Sequence, residues 1–291
     1  MAGYVARRLL TTVGLLWAMS VLIFGIVHLL PGNVAYAILG EFALPDQVAR
    51  LEQQLGLNDP LVVQYGRWLG GMLRGDFGLS LTMNRPAMPL ILDALSRSAV
   101  LAGISFVLVA VLGIWLGIHA ATRKGSLADR VLTLAQFLFI AVPDFVWAIL
   151  AVLLFASWLQ WLPATGYAPM GQVGLFGWAA HLLLPVTVLT CGLVSHISRL
   201  TRSSMLEVLD SRYVLTARAK GLPERLVLRR HALPNALLPA ITVLAIDVGI
   251  LFGGIVVVER VFAFPGLGRL LMYAIEKHDL PLLQAAMMVV T

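Results

Sequence analysis

Asp144 and Asp247 are the residues of this 291-residue chain whose type and setting best suit chemistry. Both fall inside long apolar runs, where a carboxylate costs about 2.5–3.5 kcal/mol on insertion scales and defaults to a functional role. In one reading they line a polar pathway or contact a cationic group. In the other they are structural, with Asp144 near a helix end after Pro143 and Asp247 bonded to a neighbouring helix. Neither has an evident acid partner, which a proton relay would need. Other chemistry is missing. The one cysteine, Cys191, rules out an intrachain disulfide, and the six histidines include no HxxxH pair, so no metal site is expected. The three lysines precede Gly125, Gly221 and His278, whereas a Walker A phosphate loop needs Lys followed by Ser or Thr. HExxH and GxSxG are absent too, which leaves no apparatus for hydrolysis inside a membrane.

The elements that must hold these residues are membrane helices. Hydrophobic residues make up 59% of the chain and charged ones 12%, with mean hydropathy +0.89; soluble domains carry roughly 25% charged residues. Spans are expected at Leu9–Leu30, Ser98–Ala121, Val131–Trp158, His181–Leu200 and Ala236–Val258, each about 20 residues or more, enough to cross hydrocarbon at 1.5 Å per residue. A sixth apolar run, Leu282–Thr291, is too short to cross and reads as the start of a further span cut off at the end of the sequence. Residues 1–30 form the first span and 98–291 the helical core. Ala35-Tyr36-Ala37 imitates a signal-peptide cleavage site, but the preceding apolar run exceeds the roughly 7–15 residues of a signal sequence. Pro143 and Pro239 are candidates for kinks. Gly113-x-x-x-Gly117 and Gly249-x-x-x-Gly253 are candidates for close helix contacts.

Residues 31–97 form the longest polar region. Leu44, Val48, Leu51 and Leu55 mark one face of a short helix that Gly56 can end; Leu61, Tyr65, Trp68, Met72 and Leu73 follow the same period in a second. Both are too polar to span and suit the membrane surface. The net charge of +6 does not point to nucleic acid, because the basic residues sit at helix ends. Arg7, Arg8, Arg123, Lys124, Arg130, Arg199, Arg202, Arg212, Arg218, Lys220, Arg225, Arg229 and Arg230 fall on one side if the spans alternate, so the positive-inside rule puts the N-terminus in the cytoplasm and 31–97 outside.

One basic cytoplasmic loop, about 201–234, is built to fold. Ser204 to Lys220 favours helix, Gly221 can take the left-handed turn that ends it, and Pro223 with Glu224 suits the first turn of a second helix that Pro234 stops. Ala217, Ala219 and Gly221 leave room for close packing, and Leu222, Leu226 and His231 offer contacts among Arg225, Arg229 and Arg230. Two readings stand on these residues alone: a knob seated in a groove of another subunit, or a basic loop lying on anionic lipid.

The loop resembles the EAA motif of ABC importer permeases, EAA-x3-G-x9-I-x-L-P. Ala217 matches the second alanine, Gly221 the glycine and Leu233-Pro234 the closing pair; Leu215, Thr216 and His231 depart from it. Thr216-Ala217-Arg218-Ala219-Lys220-Gly221-Leu222 is similar to the dipeptide, oligopeptide and nickel branch of that family. Leu55-Gly56-Leu57, Gly75-Asp76-Phe77-Gly78-Leu79-Ser80 and Pro265-Gly266-Leu267-Gly268 agree. The resemblance implies an all-α polytopic chain of the type I importer fold with six transmembrane helices, the sixth incomplete here, acting as the first of two permease subunits in a bacterial or archaeal plasma membrane. It implies a second permease, two ATPases that bind ATP and Mg²⁺, and an extracytoplasmic substrate-binding protein, with no cofactor and no catalytic residue in this chain. The loop residues expected to couple to the ATPase are Ala217, Arg218, Lys220, Gly221, Leu222, Arg225, His231, Leu233 and Pro234; Asp144 and Asp247 are the expected substrate path. The expected alternative is an autonomous secondary transporter or channel that uses the two acids.

Overall fold

A computed structural model describes residues 2–29, 34–39 and 42–291. Among them the regular secondary structure is helical apart from one short hairpin. Four helices are long and apolar enough to cross a bilayer, or five when one sharply bent pair counts as a single span. Helices dominate for a physical reason: in hydrocarbon every backbone N–H and C=O needs an internal partner, which a helix supplies within one segment. The chain divides into two compact units, 1–97 with 266–291 and 98–265.

In the first unit, α1 (Ala2–Leu29) is a continuous apolar helix that turns Leu9, Leu10, Val13 and Trp17 outward. Leu30, the expected end of the span, lies outside the described residues. α2 (Val34–Leu39) takes in the Ala35-Tyr36-Ala37 segment. α3 (Pro45–Leu55) begins on a proline at its first turn and ends at Gly56, whose φ of 65° lets Gly56 and Leu57 donate back to Gln53 and Glu52. Of its expected apolar face, Val48 is buried and Leu44 exposed; the side chains of Leu51 and Leu55 lie outside the described set. α4 (Leu61–Leu73) follows, and its Tyr65 and Trp68 pack on Phe24 of α1 with centroids at 5.4 and 5.7 Å. β1 (Leu79–Ser80) and β2 (Arg85–Pro86) pair antiparallel, Leu79 opposite Pro86. The core gathers Val27, Ala87, Ile91, Leu267, Leu282 and Leu283.

α5 (Ala87–Thr122) starts ahead of the expected Ser98, and the division into units falls within it. In the second unit, α6 (Leu127–Ala141) and α7 (Asp144–Ala151), which runs on as a π-helical stretch Val152–Trp158, meet at 103°. The single span expected over Val131–Trp158 is therefore broken. Pro143 has no N–H to donate and pushes Val142 out of the helical region, to φ −103° and ψ 127°. α8 (Met170–Leu209) is interrupted near its start at Gly174 but continues through Pro185. α9 (Arg212–Ala219) and α10 (Glu224–Leu226) carry the basic loop. α10 runs on through a π-helical Val227–Ala232 into α11 (Leu233–Val261), in which Pro239 is an interior residue rather than a break. The core of this unit gathers Leu101, Ala148, Leu189, Leu251, Val258 and Phe262. α12 (Leu267–Glu276) and α13 (Leu280–Val290) return to the first unit, and the expected start of a further span, Leu282–Thr291, lies almost wholly in α13.

Gly113 and Gly117 let α5 approach α8: a Cβ on Gly117 would lie 2.6 Å from the Ser198 carbonyl oxygen, and one on Gly113 2.8 Å from Ile197. Gly249 and Gly253 have nothing within 4 Å of that position. The first glycine pair thus works inside this chain, whereas the second meets no described residue.

Candidate functional site

The basic loop has its own small core. Val214, Ala217, Val227, Ala232 and Ala236 are buried together with Met205 of α8 and Ala121 of α5. The expected helix from Ser204 to Lys220 is two helices, because α8 ends at Leu209 and α9 starts after Asp210 and Ser211. Ser211 is extended at ψ 150°, the conformation of a residue that precedes a helix. Gly221 sits at φ +78°. Its N–H donates to Arg218 O at 2.9 Å and that of Leu222 to Ala217 O at 3.4 Å, the paired bonds of a Schellman turn. Leu222 then packs into the loop core beside Ala217. Across this turn Arg218 donates through Nη2 and Nε to Glu224 at 2.7 and 3.1 Å. Those hydrogen bonds hold the Arg218 guanidinium above the ordinary arginine pKa, so it stays charged. Asn235 Nδ2 donates to the Tyr213 hydroxyl at 3.0 Å and fastens α9 to α11.

Pro234 does not stop the helix that precedes it. It lacks an N–H for the carbonyl four residues back and its ring crowds that carbonyl. The wider π turn over Val227–Ala232 supplies the room, and the helix continues from Glu224 to Val261. Of the expected coupling residues, Arg218, Lys220, Gly221, Arg225 and Pro234 are exposed, Leu222, His231 and Leu233 are half-buried, and Ala217 is buried as packing. Three exposed apolar side chains accompany the charged ones: Tyr213, Leu226 and Leu215, the last 52% exposed at the position where the motif has glutamate. Leu226 was expected as a contact. Tyr213 and Leu215 were not, although their spacing from buried Val214 and Ala217 carries the signal.

The two acids occupy different settings. Asp144 opens α7 and is exposed. Asp247, on α11, is 2% exposed, neither of its oxygens accepts a hydrogen bond from a described residue, and Oδ2 lies 3.7 Å from His196 Nδ1 of α8. No hydrogen bond or ion pair joins the two acids among the described residues. A second ionic contact was not expected. Asp129, 5% exposed in its side chain, accepts from Arg202 Nε and Nη2 at 2.7 and 2.8 Å and from the Gly125 N–H at 2.9 Å. It ties the start of α6 to α8.

Long apolar helices and one basic loop with its own buried core define a polytopic α-helical membrane protein. Residues 113–291 match the family described as "Binding-protein-dependent transport system inner membrane component", and residues 1–102 match the family of the corresponding N-terminal segment. The chain belongs to this family of ABC importer permeases. A putative peptide transport system permease protein of Brucella abortus is 39% identical over 288 residues, covering 99% of this chain and 91% of the relative. The dipeptide transport system permease protein DppB of Alkalihalophilus pseudofirmus is 37% identical, covering 100% and 93%. The glutathione transport system permease protein GsiC of Salmonella paratyphi A is 38% identical, covering 98% and 90%. Family membership sets aside the autonomous carrier or channel expected as the alternative. Permease subunits of this family are generally translocation components rather than catalysts.

Proposed function

We propose that this chain imports di- or oligopeptides as one of two membrane-spanning subunits, with its N-terminus in the cytoplasm of a bacterium or archaeon. A second, related permease completes the pathway, an extracytoplasmic binding protein delivers the peptide, and two partner ATPases bind ATP and Mg²⁺. The names of the three relatives, two for peptides and one for the tripeptide glutathione, support the substrate class. The chain itself holds no cofactor and catalyses nothing.

The observation that carries the coupling role is the Gly221 turn with its own buried core. A loop lying on lipid needs only charge. This loop is instead fixed by a Schellman turn, a two-point Arg218–Glu224 bridge and the Asn235–Tyr213 bond, and it turns Tyr213, Leu215 and Leu226 outward among its arginines. Such a rigid knob transmits a displacement to α8 and α11, to which it is joined at both ends. By linkage, an ATPase shifts the permease between inward- and outward-facing states only as far as it binds the two differently.

Purification of the chain in mild detergent from its host tests this reading. An ATPase and a second permease should be retained at stoichiometric levels, and ATP hydrolysis should rise with the binding protein and peptide. A chain that purifies alone, or a complex whose ATPase ignores peptide, overturns it.

A further inference from the structure

The unit 98–265 contains a cavity of about 550 Å³ between the α6–α7 bend, α8 and α11. Its walls are mostly apolar, Phe139, Leu189 and Ile250 among them, and three ionisable side chains reach it: Asp144, His196 and Arg199. Gly192, His196 and Arg199 follow one another at i, i+4 and i+7, which is one face of α8. Asp144 is level with Gly192, since its Oδ1 lies 3.4 Å from where a Cβ on that glycine would stand, and its Oδ2 lies 3.9 Å from the same point on Gly254 of α11. The carboxylate therefore sits in the notch that these two glycines leave open. Arg199 lies two turns further along α8, with its guanidinium 5.9 Å from the centre of the Phe137 ring.

These opposite charges share one cavity without neutralising each other. Among the described residues, neither Asp144 nor Arg199 makes an ion pair or hydrogen bond, and both are exposed. Charges facing hydrocarbon are costly, so this side of the unit borders water or protein rather than lipid. Seven residues separate the level of Asp144 from Arg199, about 10 Å along the helix at 1.5 Å each. An extended peptide spans at most roughly 3.3–3.6 Å per residue, so that distance is about three residues. Between the two ends stands His196, with Nδ1 3.7 Å from the buried, otherwise unpartnered Asp247. That arrangement leaves Nε2 as the ring nitrogen available to a ligand.

We propose that this cavity is a transit site that reads both termini of a short peptide, Asp144 holding the α-ammonium group and Arg199 the α-carboxylate. His196, positioned by Asp247, meets the peptide backbone between them, and the apolar walls accept side chains without demanding a particular one. The site accounts for both acids of the apolar segments, Asp144 as a contact and Asp247 as a positioning residue. It rests on the peptide-importer reading above.

The test uses the permease–ATPase complex in lipid nanodiscs without its binding protein, so that only the membrane site is read. The probes are radiolabelled trialanine, N-acetyl-trialanine and trialanine amide, with binding measured by equilibrium dialysis. Wild type should bind trialanine at least tenfold more tightly than either blocked peptide. Asp144→Asn should weaken trialanine binding tenfold and abolish the penalty for acetylation, while Arg199→Gln should do the same for amidation. Asp144→Glu and Arg199→Lys should keep the wild-type preferences. Failure of wild type to bind trialanine, or equal binding of all three probes, overturns the site, as do variants that lose all three peptides alike. A complex that couples peptide to ATP hydrolysis yet ignores blocked termini sinks this site alone; a chain that retains no ATPase sinks the importer reading.

Discussion

The turn at Gly221 rests on a single dihedral angle. At φ +78° it lies in the left-handed region, which costs other residues roughly 1–2 kcal/mol and β-branched ones more. Nothing lies within 4 Å of a Cβ placed there, so the demand is conformational and not steric. Gly221→Asn, a residue that visits this region, should therefore keep peptide-stimulated ATP hydrolysis within about twofold. Gly221→Val should reduce that stimulation at least tenfold while the protein still inserts; equal stimulation in both variants would show that the turn does not transmit. The Asp129–Arg202 pair is the other residue-scale feature. Both guanidinium bonds and the Gly125 N–H converge on a carboxylate that is 5% exposed. Asp129→Ala leaves Arg202 without its partner and should cost about 3 kcal/mol, lowering the melting midpoint in detergent by roughly 5–10 °C. The sequence marks Asp129 and Arg202 only as charges near helix ends, because their pairing joins positions 73 apart.

At the scale of elements, the two glycine pairs make opposite predictions from one sequence pattern. Gly117→Ala puts a methyl 2.6 Å from a backbone oxygen of α8, so α5 must move away and assembled protein should fall sharply on size exclusion. Gly249→Ala meets nothing in this chain and gains up to about 1 kcal/mol of helix propensity, so the isolated subunit should melt no lower than wild type. A second element-scale device joins the hairpin to α13. Asp279 is fully buried, caps α13 through the Leu282 N–H, and accepts from the Ser80 and Thr82 hydroxyls at 2.6 and 2.7 Å and from the Leu81 and Thr82 N–H groups. Asp279→Ala should raise hydrogen exchange at Leu81 and Thr82 at least tenfold without affecting Gly221; unchanged exchange would mean the hairpin is held by other contacts. The resemblance marked Gly75–Ser80 as a distinctive segment, but only the tertiary contact gives Ser80 a reason to be there.

For the whole molecule, the direction of insertion is the prediction with the widest reach. By the positive-inside rule, thirteen basic residues on one side should place the N-terminus and the Gly221 loop in the cytoplasm. The single native cysteine makes this easy to measure. In a Cys191→Ser background, Leu215→Cys should react with a membrane-impermeant maleimide only after the cell membrane is opened, since that position is 52% exposed on the loop. Labelling in intact cells would reverse the orientation and remove the coupling role.

The sequence by itself determined the membrane class, the apolar segments and the Gly221 turn. Each of those is a local consequence of residue type: apolar length fits the bilayer, and a glycine before a Leu-Pro pair fits a left-handed cap. Tertiary structure alone decided where helices break or continue. Pro143 breaks its span by 103°, whereas Pro234 is absorbed by a π turn and Pro239 by the helix itself. A proline removes the same hydrogen bond at each site, and the surrounding packing determines how the backbone accommodates that loss. Packing likewise turned Ala217 inward and Leu215 outward, set Asp247 beside His196, and brought Asp144 and Arg199 to one cavity with no ion pair to a described residue. Such pairings depend on distances between helices that are remote in sequence, and no local pattern encodes them.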